Sequence, residues 1–289
     1  MSFDSFSSAD LLPQLSTQSS GQFIGPFASA IRVDKASGDM AWRRNPVRST
    51  RYINRDELHR LYESILFANY MGEVLNVEMT IAWQLAGLTE PEAVTRALEL
   101  LLGRFRKFVT HRKFRTCYYA VHENERKIGY HTHLAFHVPE KYRVAFHRWW
   151  QSVEDELSNC DGPDKLIFVR FHKEDAIHSQ WRWFQYCMKG LDPKLMKSEA
   201  KREGWETLDT NTLAGVWRRE TGRIPMKRVH IARAMCKKAQ GHAGYKAPFR
   251  ISNVFDEYRY TDIEYIRGKR ERNVLLNETI KALNSMDLI

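Results

Sequence analysis

The chain has 289 residues, 43% of them hydrophobic, which supports a globular core for one large domain or for a domain with an appended region. A formal charge of +10, from 45 Lys and Arg residues against 35 acids, favours a polyanionic partner, although an ordinary basic protein has the same balance. No apolar run is long enough to span a membrane, and the four cysteines include no CxxC pair, which argues against a membrane protein, a disulfide framework and a zinc knuckle.

The first 50 residues lack a regular hydrophobic period. They are interpreted as a flexible tail followed by a basic lead-in that ends in RRNPVR. The opening residues, MSFDSFSSADLLPQL, lack the basic start and apolar run of a signal peptide. Together with widely spaced cysteines that are typical of reduced thiols, this favours a cytoplasmic protein.

Periodic sequence begins after the lead-in. Asn54 or Asp56 is expected to cap a helix that continues to Tyr70. Residues 76–83, NVEMTIAW, alternate and are rich in β-formers, so they predict a strand. Residues 91–109 carry apolar side chains at helical spacing behind a proline and predict a helix.

A hairpin and three further elements follow. Two β-rich runs, residues 116–122 and 130–138, flank the charged turn ENERKIG and predict an antiparallel hairpin. The later elements are a helix over residues 140–157, a strand over 166–171 and a helix over 176–190.

The order strand, helix, strand, strand, helix, strand, helix is typical of an α+β fold with an antiparallel sheet and helices packed on it. We assign residues 51–192 to this domain. Beyond it the periodicity weakens, and residues 193–289 are interpreted as a basic, partly helical C-terminal region of uncertain role.

The run YHTHLAFHVP, residues 130–139, places three histidines on the second strand of the hairpin. Alternate side chains of a strand share a face, so His131 and His133 point to one side and Thr132 to the other. Two imidazoles about 6–7 Å apart along a strand can bind one ion, although a histidine on an apolar strand is more often structural. His137 is interpreted as structural.

Glu123 ends the preceding strand, and the hairpin is expected to bring it alongside His131. Two histidines and a carboxylate with open positions suit Mg²⁺ or Mn²⁺. Glu125 is an alternative ligand, although a charge in a turn is more often solvated. His122 is expected to face away from Glu123.

The helix over residues 176–190 contains the pattern QYCMK, in which Tyr186 and Lys189 lie on one face. Tyrosine, with an ordinary pKa of about 10, attacks usefully only where a metal or cation stabilises the phenolate. The lysine can supply positive charge to the phenolate or to a phosphate. The pattern alone is equally typical of an amphipathic helix whose aromatic residues, including Trp181 and Trp183, are core.

Three motifs in this order resemble the HUH endonuclease superfamily, and specifically the rolling-circle replication initiator (Rep) proteins with a single catalytic tyrosine. Residues 77–83 resemble the first-strand motif, GYHTHL at 129–134 resembles the HUH motif, and 186–189 resembles the YxxK motif. The resemblance covers roughly residues 72–192 and says little about the rest of the chain.

His131 and His133 match the two histidines of the HUH motif, and Tyr186 and Lys189 match the nucleophile and its partner lysine. Thr132 departs from the pattern, because the family usually has a hydrophobic residue between the histidines. Since this side chain is expected to face the core, the departure concerns packing more than metal ligation.

The resemblance implies an antiparallel sheet with the HUH-type β-α-β-β-α-β-α order and a site-specific nickase. His131, His133 and Glu123 would hold Mg²⁺ or Mn²⁺, and Tyr186, assisted by Lys189, would form a 5′-phosphotyrosine link and free a 3′-hydroxyl. Such an enzyme initiates rolling-circle replication of a plasmid or phage on single-stranded DNA and an origin duplex or hairpin. No Walker A motif is present, so a host helicase is the expected partner for unwinding.

Residues 103–115, GRFRKFVTHRKFR, combine six Lys and Arg residues with three phenylalanines and no acids. The cations can follow a nucleic-acid backbone while aromatic rings stack on bases, although the phenylalanines are expected to be mainly core. Residues 223–238 are interpreted as a second basic, helical stretch. The candidate DNA-binding residues are Arg104, Arg106, Lys107, Arg112, Lys113 and Arg115.

Other functions remain open on this evidence. An insertion-sequence transposase or a mobilisation relaxase would use the same chemistry, although relaxases often place the tyrosine before the histidines, and here Tyr186 follows them. A catalytically silent origin-binding protein on the same fold is a further alternative. A 2H-type phosphoesterase needs two separated His-x-Thr/Ser motifs, which the spacing of residues 131–133 does not match.

Overall fold

The computed structural model describes residues 50–126, 128–157, 166–172, 174–192, 194, 222–247 and 262–286. The predicted flexible tail and basic lead-in, residues 1–49, lie outside the described residues, as does much of the region after residue 193.

A five-stranded antiparallel sheet organises the described chain and confirms the α+β class. The strands are β1 (Val77–Ala82), β2 (Tyr118–Glu125), β3 (Gly129–Phe136), β4 (Ile167–Phe171) and β5 (Val229–Ile231). Their spatial order is β4-β1-β3-β2-β5, so the hairpin strand β3 lies at the centre. Backbone hydrogen bonds therefore hold β3 along both of its edges, which fixes the positions of the side chains that it carries.

Helices pack on both faces of this sheet. Within the described residues they are α1 (Arg55–Tyr70), α2 (Pro91–Arg112), α3 (Arg143–Leu157), α4 (Ala176–Cys187), α5 (Lys237–His242) and α6 (Ile263–Met286). From β1 to α4 the elements follow the predicted order of strand, helix, strand, strand, helix, strand, helix. No helix in the described ranges has the length and apolar character needed to cross a bilayer.

Helix α1 begins where the sequence predicts. Asn54 accepts a hydrogen bond from the backbone N–H of Glu57, and the Glu57 carboxylate accepts one from the backbone N–H of Asn54. This reciprocal pair satisfies donors that a helix start otherwise leaves unbonded. The apolar stripe of Leu58, Leu61 and Ile65 is fully buried against the sheet domain.

The two sheet faces carry different helices. Phe136 on β3 packs against Phe105 of α2 and Phe146 of α3, with ring centroids 4.5 and 5.7 Å apart. His133 points to the other face, where its ring contacts Trp183 and Tyr186 of α4 at 5.3 and 5.1 Å. The histidine face therefore lies beneath α4, while α2 and α3 cover the opposite face.

The prediction of a helix over residues 223–238 is wrong for its central part. Val229–Ile231 forms strand β5 on the edge of β2, and only a short turn and α5 follow it. β-Branched residues beside an open sheet edge pair with that edge, because its N–H and C=O groups need partners. The buried Arg228 guanidinium fixes the strand by donating to the carbonyl oxygens of His122 and Thr50. Part of the C-terminal region thus belongs to the sheet.

Candidate active site

The hairpin register brings three ligand-type residues together, as the sequence predicts. Glu123 lies directly opposite His131 in the β2–β3 pairing, and residues paired across two strands share a face. His133 follows two positions later on that face. All three side chains are buried, and their ligand atoms lie within 4.8 Å of one another. This group can hold a metal ion.

Both imidazoles turn Nε2 toward one carboxylate oxygen. His131 Nε2 lies 2.9 Å and His133 Nε2 lies 3.4 Å from Glu123 Oε2. On the other side of each ring, Nδ1 has its own partner: the Gly129 carbonyl oxygen at 3.0 Å for His131 and the Thr80 hydroxyl at 3.0 Å for His133. An Nδ1 that donates to an outer partner leaves Nε2 as a metal ligand in the arrangement typical of metal-bound histidine.

The surroundings of His131 are compatible with a bound cation. The Gly129 carbonyl and the Glu123 carboxylate only accept hydrogen bonds, so one neutral imidazole cannot satisfy both. A cation bound by both His131 Nε2 and the Glu123 carboxylate would satisfy the two groups together. Within the described part of the chain, the second carboxylate oxygen, Glu123 Oε1, is buried without a hydrogen-bond partner and offers a further ligand atom to such an ion.

Gly129 shapes the start of β3 for this purpose. Its φ is +69°, in the left-handed region, and a Cβ there would lie 1.4 Å from the Gln84 Oε1 atom. Glycine therefore suits this position, because a side chain there would be strained at a left-handed φ and would require Gln84 to move.

A tyrosine near the end of α4 and a lysine just after it lie beside this ligand group. Lys189, in the turn that follows the helix, is buried with its Nζ 2.8 Å from Glu123 Oε2. The same Nζ lies 3.2 Å from the Tyr186 hydroxyl and 3.4 Å from His133 Nε2. The Tyr186 ring stacks on Trp183 at 5.1 Å, which limits its movement. The predicted pair of tyrosine and lysine thus meets the predicted ligand group.

Burial and charge–charge contacts act against each other on the pKa values in the cluster. Burial alone would raise the pKa of Glu123, but the Lys189 ammonium and the two histidines hold it well below its usual range. Burial alone would lower the pKa of Lys189, but Glu123 and its other neighbours raise it above the ordinary value. Burial lowers the pKa of His133 to about 4, which keeps the imidazole neutral near pH 7. Ionised Glu123 and neutral His133 are the forms that bind a cation.

Other residues named from the sequence fall outside the ligand group. His122 turns to the opposite face, where its Nδ1 lies 2.7 Å from the Thr132 hydroxyl, as predicted. His137 Nδ1 donates to the Val74 carbonyl oxygen and is structural. Glu125 is not a solvated turn charge, because its side chain is largely buried 3.4 Å from Lys189 Nζ.

Thr80 is the site residue that the sequence pattern does not reveal. It lies on β1, directly opposite His133, and fixes that ring through its hydroxyl. The alternation that predicts β1 also assigns Thr80 to one face, but the pairing partner of β1 is not encoded locally. Only the sheet order identifies the contact.

The candidate DNA-binding residues do not lie beside Tyr186. They occupy α2 and the turn after it, on the sheet face opposite the histidines. Arg104 forms a two-pronged ion pair with Glu156, and Arg112 stacks on the Phe108 ring. Phe105 and Phe108 are core, as expected, while Phe114 is half-buried.

A basic cleft of about 500 Å³ lies between α2 and α3. Exposed Lys107 and Arg148 line it with Arg104 and Arg112, and Trp149 contributes an aromatic wall. Cations beside an aromatic surface suit a nucleic-acid strand, but this cleft is separated from Tyr186 by the sheet.

Comparisons with protein-family models, with curated proteins and with solved structures find no match to this chain. The chemistry of the site is therefore interpreted from its own residues and distances.

Proposed function

We propose that this chain is a metal-dependent, site-specific single-strand DNA endonuclease and strand transferase in which Tyr186 forms a 5′-phosphotyrosine intermediate. One observation carries the proposal. The Tyr186 hydroxyl lies 3.2 Å from the Lys189 ammonium, which in turn lies 2.8 Å from Glu123 of the ligand group. A nucleophile, a neighbouring cation and metal ligands in one cluster are the components of phosphodiester transesterification through tyrosine.

The ligand group suits Mg²⁺ or Mn²⁺, with His131, His133 and Glu123 as the protein donors. A bound divalent ion would supply Lewis-acid polarisation of the scissile phosphate. The neutral form of His133 and the ionised form of Glu123 keep these donors ready near pH 7.

Tyr186 is the nucleophile of the proposed reaction. Its Oη forms a bond to phosphorus while the bond between phosphorus and the 3′-oxygen breaks. The phenol loses its proton and the departing 3′-oxygen gains one, so one phosphodiester is exchanged for another without net oxidation or proton uptake. Lys189, held 3.2 Å from Oη, stabilises the phenolate as its negative charge develops. Attack by a later 3′-hydroxyl on the phosphotyrosine reverses these bonds and joins the strand.

The charge distribution supports nucleic-acid partners for this proposal. The site beneath α4 takes the scissile single strand, and the basic cleft between α2 and α3 takes a flanking part of the substrate, an origin duplex or hairpin. The resemblance to single-tyrosine Rep proteins favours initiation of rolling-circle replication of a plasmid or phage, with a host helicase for unwinding. A transposase or relaxase role would use the same residues.

The test is formation of a covalent adduct. The protein is incubated with Mn²⁺ and single-stranded oligonucleotides from the DNA element that encodes it, and a denaturation-resistant protein–DNA band is sought. Wild type is expected to form the band and Tyr186→Phe to lose it. A control, Tyr142→Phe, removes a hydroxyl that bonds the Arg112 carbonyl on the other sheet face, and adduct formation should persist.

Absence of the adduct in wild type, or its persistence in Tyr186→Phe, would overturn the proposal. Binding of the oligonucleotide without any cleavage would instead support the catalytically silent origin-binding protein.

A further inference from the structure

The Lys189 ammonium lies on the carboxylate oxygen toward which both imidazoles point. Glu123 Oε2 is 2.8 Å from Lys189 Nζ, 2.9 Å from His131 Nε2 and 3.4 Å from His133 Nε2. Nζ is also 3.4 Å from His133 Nε2. An ammonium and a divalent cation this close together repel each other strongly in a buried site. The positions of the ion and of Lys189 are therefore not independent.

A second carboxylate, that of Glu125, lies close to the Lys189 ammonium. Glu125 follows Glu123 by two positions on β2, so both side chains lie on the same face of the sheet. Its Oε1 is 3.4 Å from Lys189 Nζ, and its side chain is only 14% exposed. Among the described residues that oxygen has no hydrogen-bond partner, and the lysine ammonium is a charge close enough to satisfy it.

We propose that a divalent cation displaces Lys189 from Glu123 and that Glu125 receives the displaced ammonium. Glu125 is then a positioning residue that acts through Lys189. Glu125 lowers the free-energy cost of separating Lys189 from Glu123 when the ion binds. It also keeps the Lys189 ammonium near Tyr186, whose hydroxyl is 3.2 Å from Nζ. This inference rests on the metal site of the proposed function and adds the exchange by which that site is loaded.

The exchange predicts opposite effects of two substitutions on Mn²⁺ binding without DNA. Lys189→Met removes the competing ammonium and is expected to tighten binding about tenfold or more. Glu125→Gln removes the alternative partner of the lysine and is expected to weaken binding about fivefold. A Glu125 that ligates or attracts the ion directly would also weaken binding when lost, so the single variants do not separate the two roles.

The double variant decides between these roles. If Glu125 acts through Lys189, Glu125→Gln changes Mn²⁺ affinity by less than about twofold in the Lys189→Met background. The effects of the two substitutions on Mn²⁺ affinity are then strongly non-additive. Additive effects, or an unchanged affinity in Lys189→Met, would overturn the inference. Free Mn²⁺ is followed by its paramagnetic resonance signal, with Glu140→Gln as a control, since that exposed carboxylate lies outside the cluster and should leave the affinity unchanged.

Folding is checked by circular dichroism, and Lys189→Gln provides a second variant if Lys189→Met does not fold. The measurement is independent of the adduct assay. If Lys189 and Glu125 are coupled in Mn²⁺ binding but no protein–DNA adduct forms, the exchange is supported and the nickase function is rejected. If an adduct forms but the two residues are not coupled, only the exchange is rejected. A wild type that does not bind Mn²⁺ rejects the exchange itself.

Discussion

Thr132 accepts a 2.6 Å hydrogen bond from the indole Nε1–H of Trp83, on the sheet face opposite the histidines. Both side chains are fully buried. The hydroxyl between the two histidines therefore satisfies a polar group in the core, and it also lies 2.7 Å from His122 Nδ1. The bond with Trp83 therefore gives the Thr132 hydroxyl a role in an otherwise apolar core.

Thr132→Val keeps the shape of the side chain but leaves the Trp83 N–H without an acceptor. The free energy of unfolding is expected to fall by about 1–3 kcal/mol, the usual effect of stranding a buried donor. Urea denaturation measures it. Thr95→Val is a matched control with a small expected effect, since the Thr95 hydroxyl bonds only its own helix carbonyl and a methionine sulfur. Equal losses in both variants would show that Thr132 does not act through the indole.

The pH dependence of stability should report on His230. Burial, together with the charge of Lys227, lowers the pKa of His230 to about 4. The unfolded chain, with a histidine pKa of about 6.5, takes up a proton between these values that the folded chain does not. This contribution to stability is therefore complete above pH 6.5 and is lost as the pH falls toward 4.

His230→Gln removes this titration and retains a side-chain donor for the Lys227 carbonyl. The loss of unfolding free energy between pH 7 and pH 5 is expected to be smaller in the variant by about 1–2 kcal/mol. Denaturant titrations at several pH values measure it. His111→Gln, which changes an exposed histidine on α2, is the matched substitution for comparison. Identical profiles for wild type and His230→Gln would contradict the prediction.

The sequence predicts the parts of the site that depend on local periodicity. Strand alternation assigns His131 and His133 to one face, and the hairpin turn sets Glu123 opposite His131. The spacing of Tyr186 and Lys189 puts them side by side, although the α-helix ends at Cys187 and Lys189 lies in the 3₁₀ turn that continues it. Each of these relations spans fewer than ten residues of chain. They can be predicted because strand alternation, a short turn and helical spacing determine them locally.

Relations between distant segments could not be predicted in the same way. The bond from Thr80 to His133 requires β1 to lie beside β3, and the bond from Trp83 to Thr132 requires the same order. The orientation of α2 is a similar case. Its spacing shows which residues are core, but not which sheet face the helix covers, so the sequence cannot place its basic residues relative to the tyrosine.

The basic cleft is expected to bind duplex or hairpin DNA rather than the scissile strand. Charge reversal in the double variant Lys107→Glu, Arg148→Glu should lower affinity for a hairpin substrate about tenfold or more and reduce its salt dependence. Fluorescence anisotropy at several salt concentrations measures both. Adduct formation on a short single strand should persist, because the cleft lies on the other sheet face.

A control double variant distinguishes DNA binding in the cleft from the effect of the net charge of the protein. The double variant Lys269→Glu, Arg270→Glu changes the net charge by the same amount, at two exposed residues of α6. It should affect hairpin binding far less. Similar losses in both double variants would assign the effect to net charge and not to the cleft.

Gly129 is expected to tolerate no side chain. Gly129→Ala places a Cβ against Gln84 Oε1 at a φ of +69°, and should destabilise the fold by about 1–3 kcal/mol in urea denaturation. Because the Gly129 carbonyl holds His131 Nδ1, Mn²⁺ affinity should fall as well. Adding Gln84→Ala removes the clash but not the strained φ, so it should restore stability only in part. A Gly129→Ala protein as stable as wild type would contradict the prediction.

Thr80→Val tests whether the hydroxyl orients His133 for metal binding. The variant keeps the strand and the packing of β1, but the Nδ1 proton of His133 loses its acceptor at 3.0 Å. Loss of such an outer partner typically lowers metal affinity by about 10–100-fold, so Mn²⁺ binding should weaken by at least about tenfold. Thr95→Val serves again as the control. A Thr80→Val protein that binds Mn²⁺ like wild type would show that the strand backbone alone orients the imidazole, and that β1 supplies no part of the site.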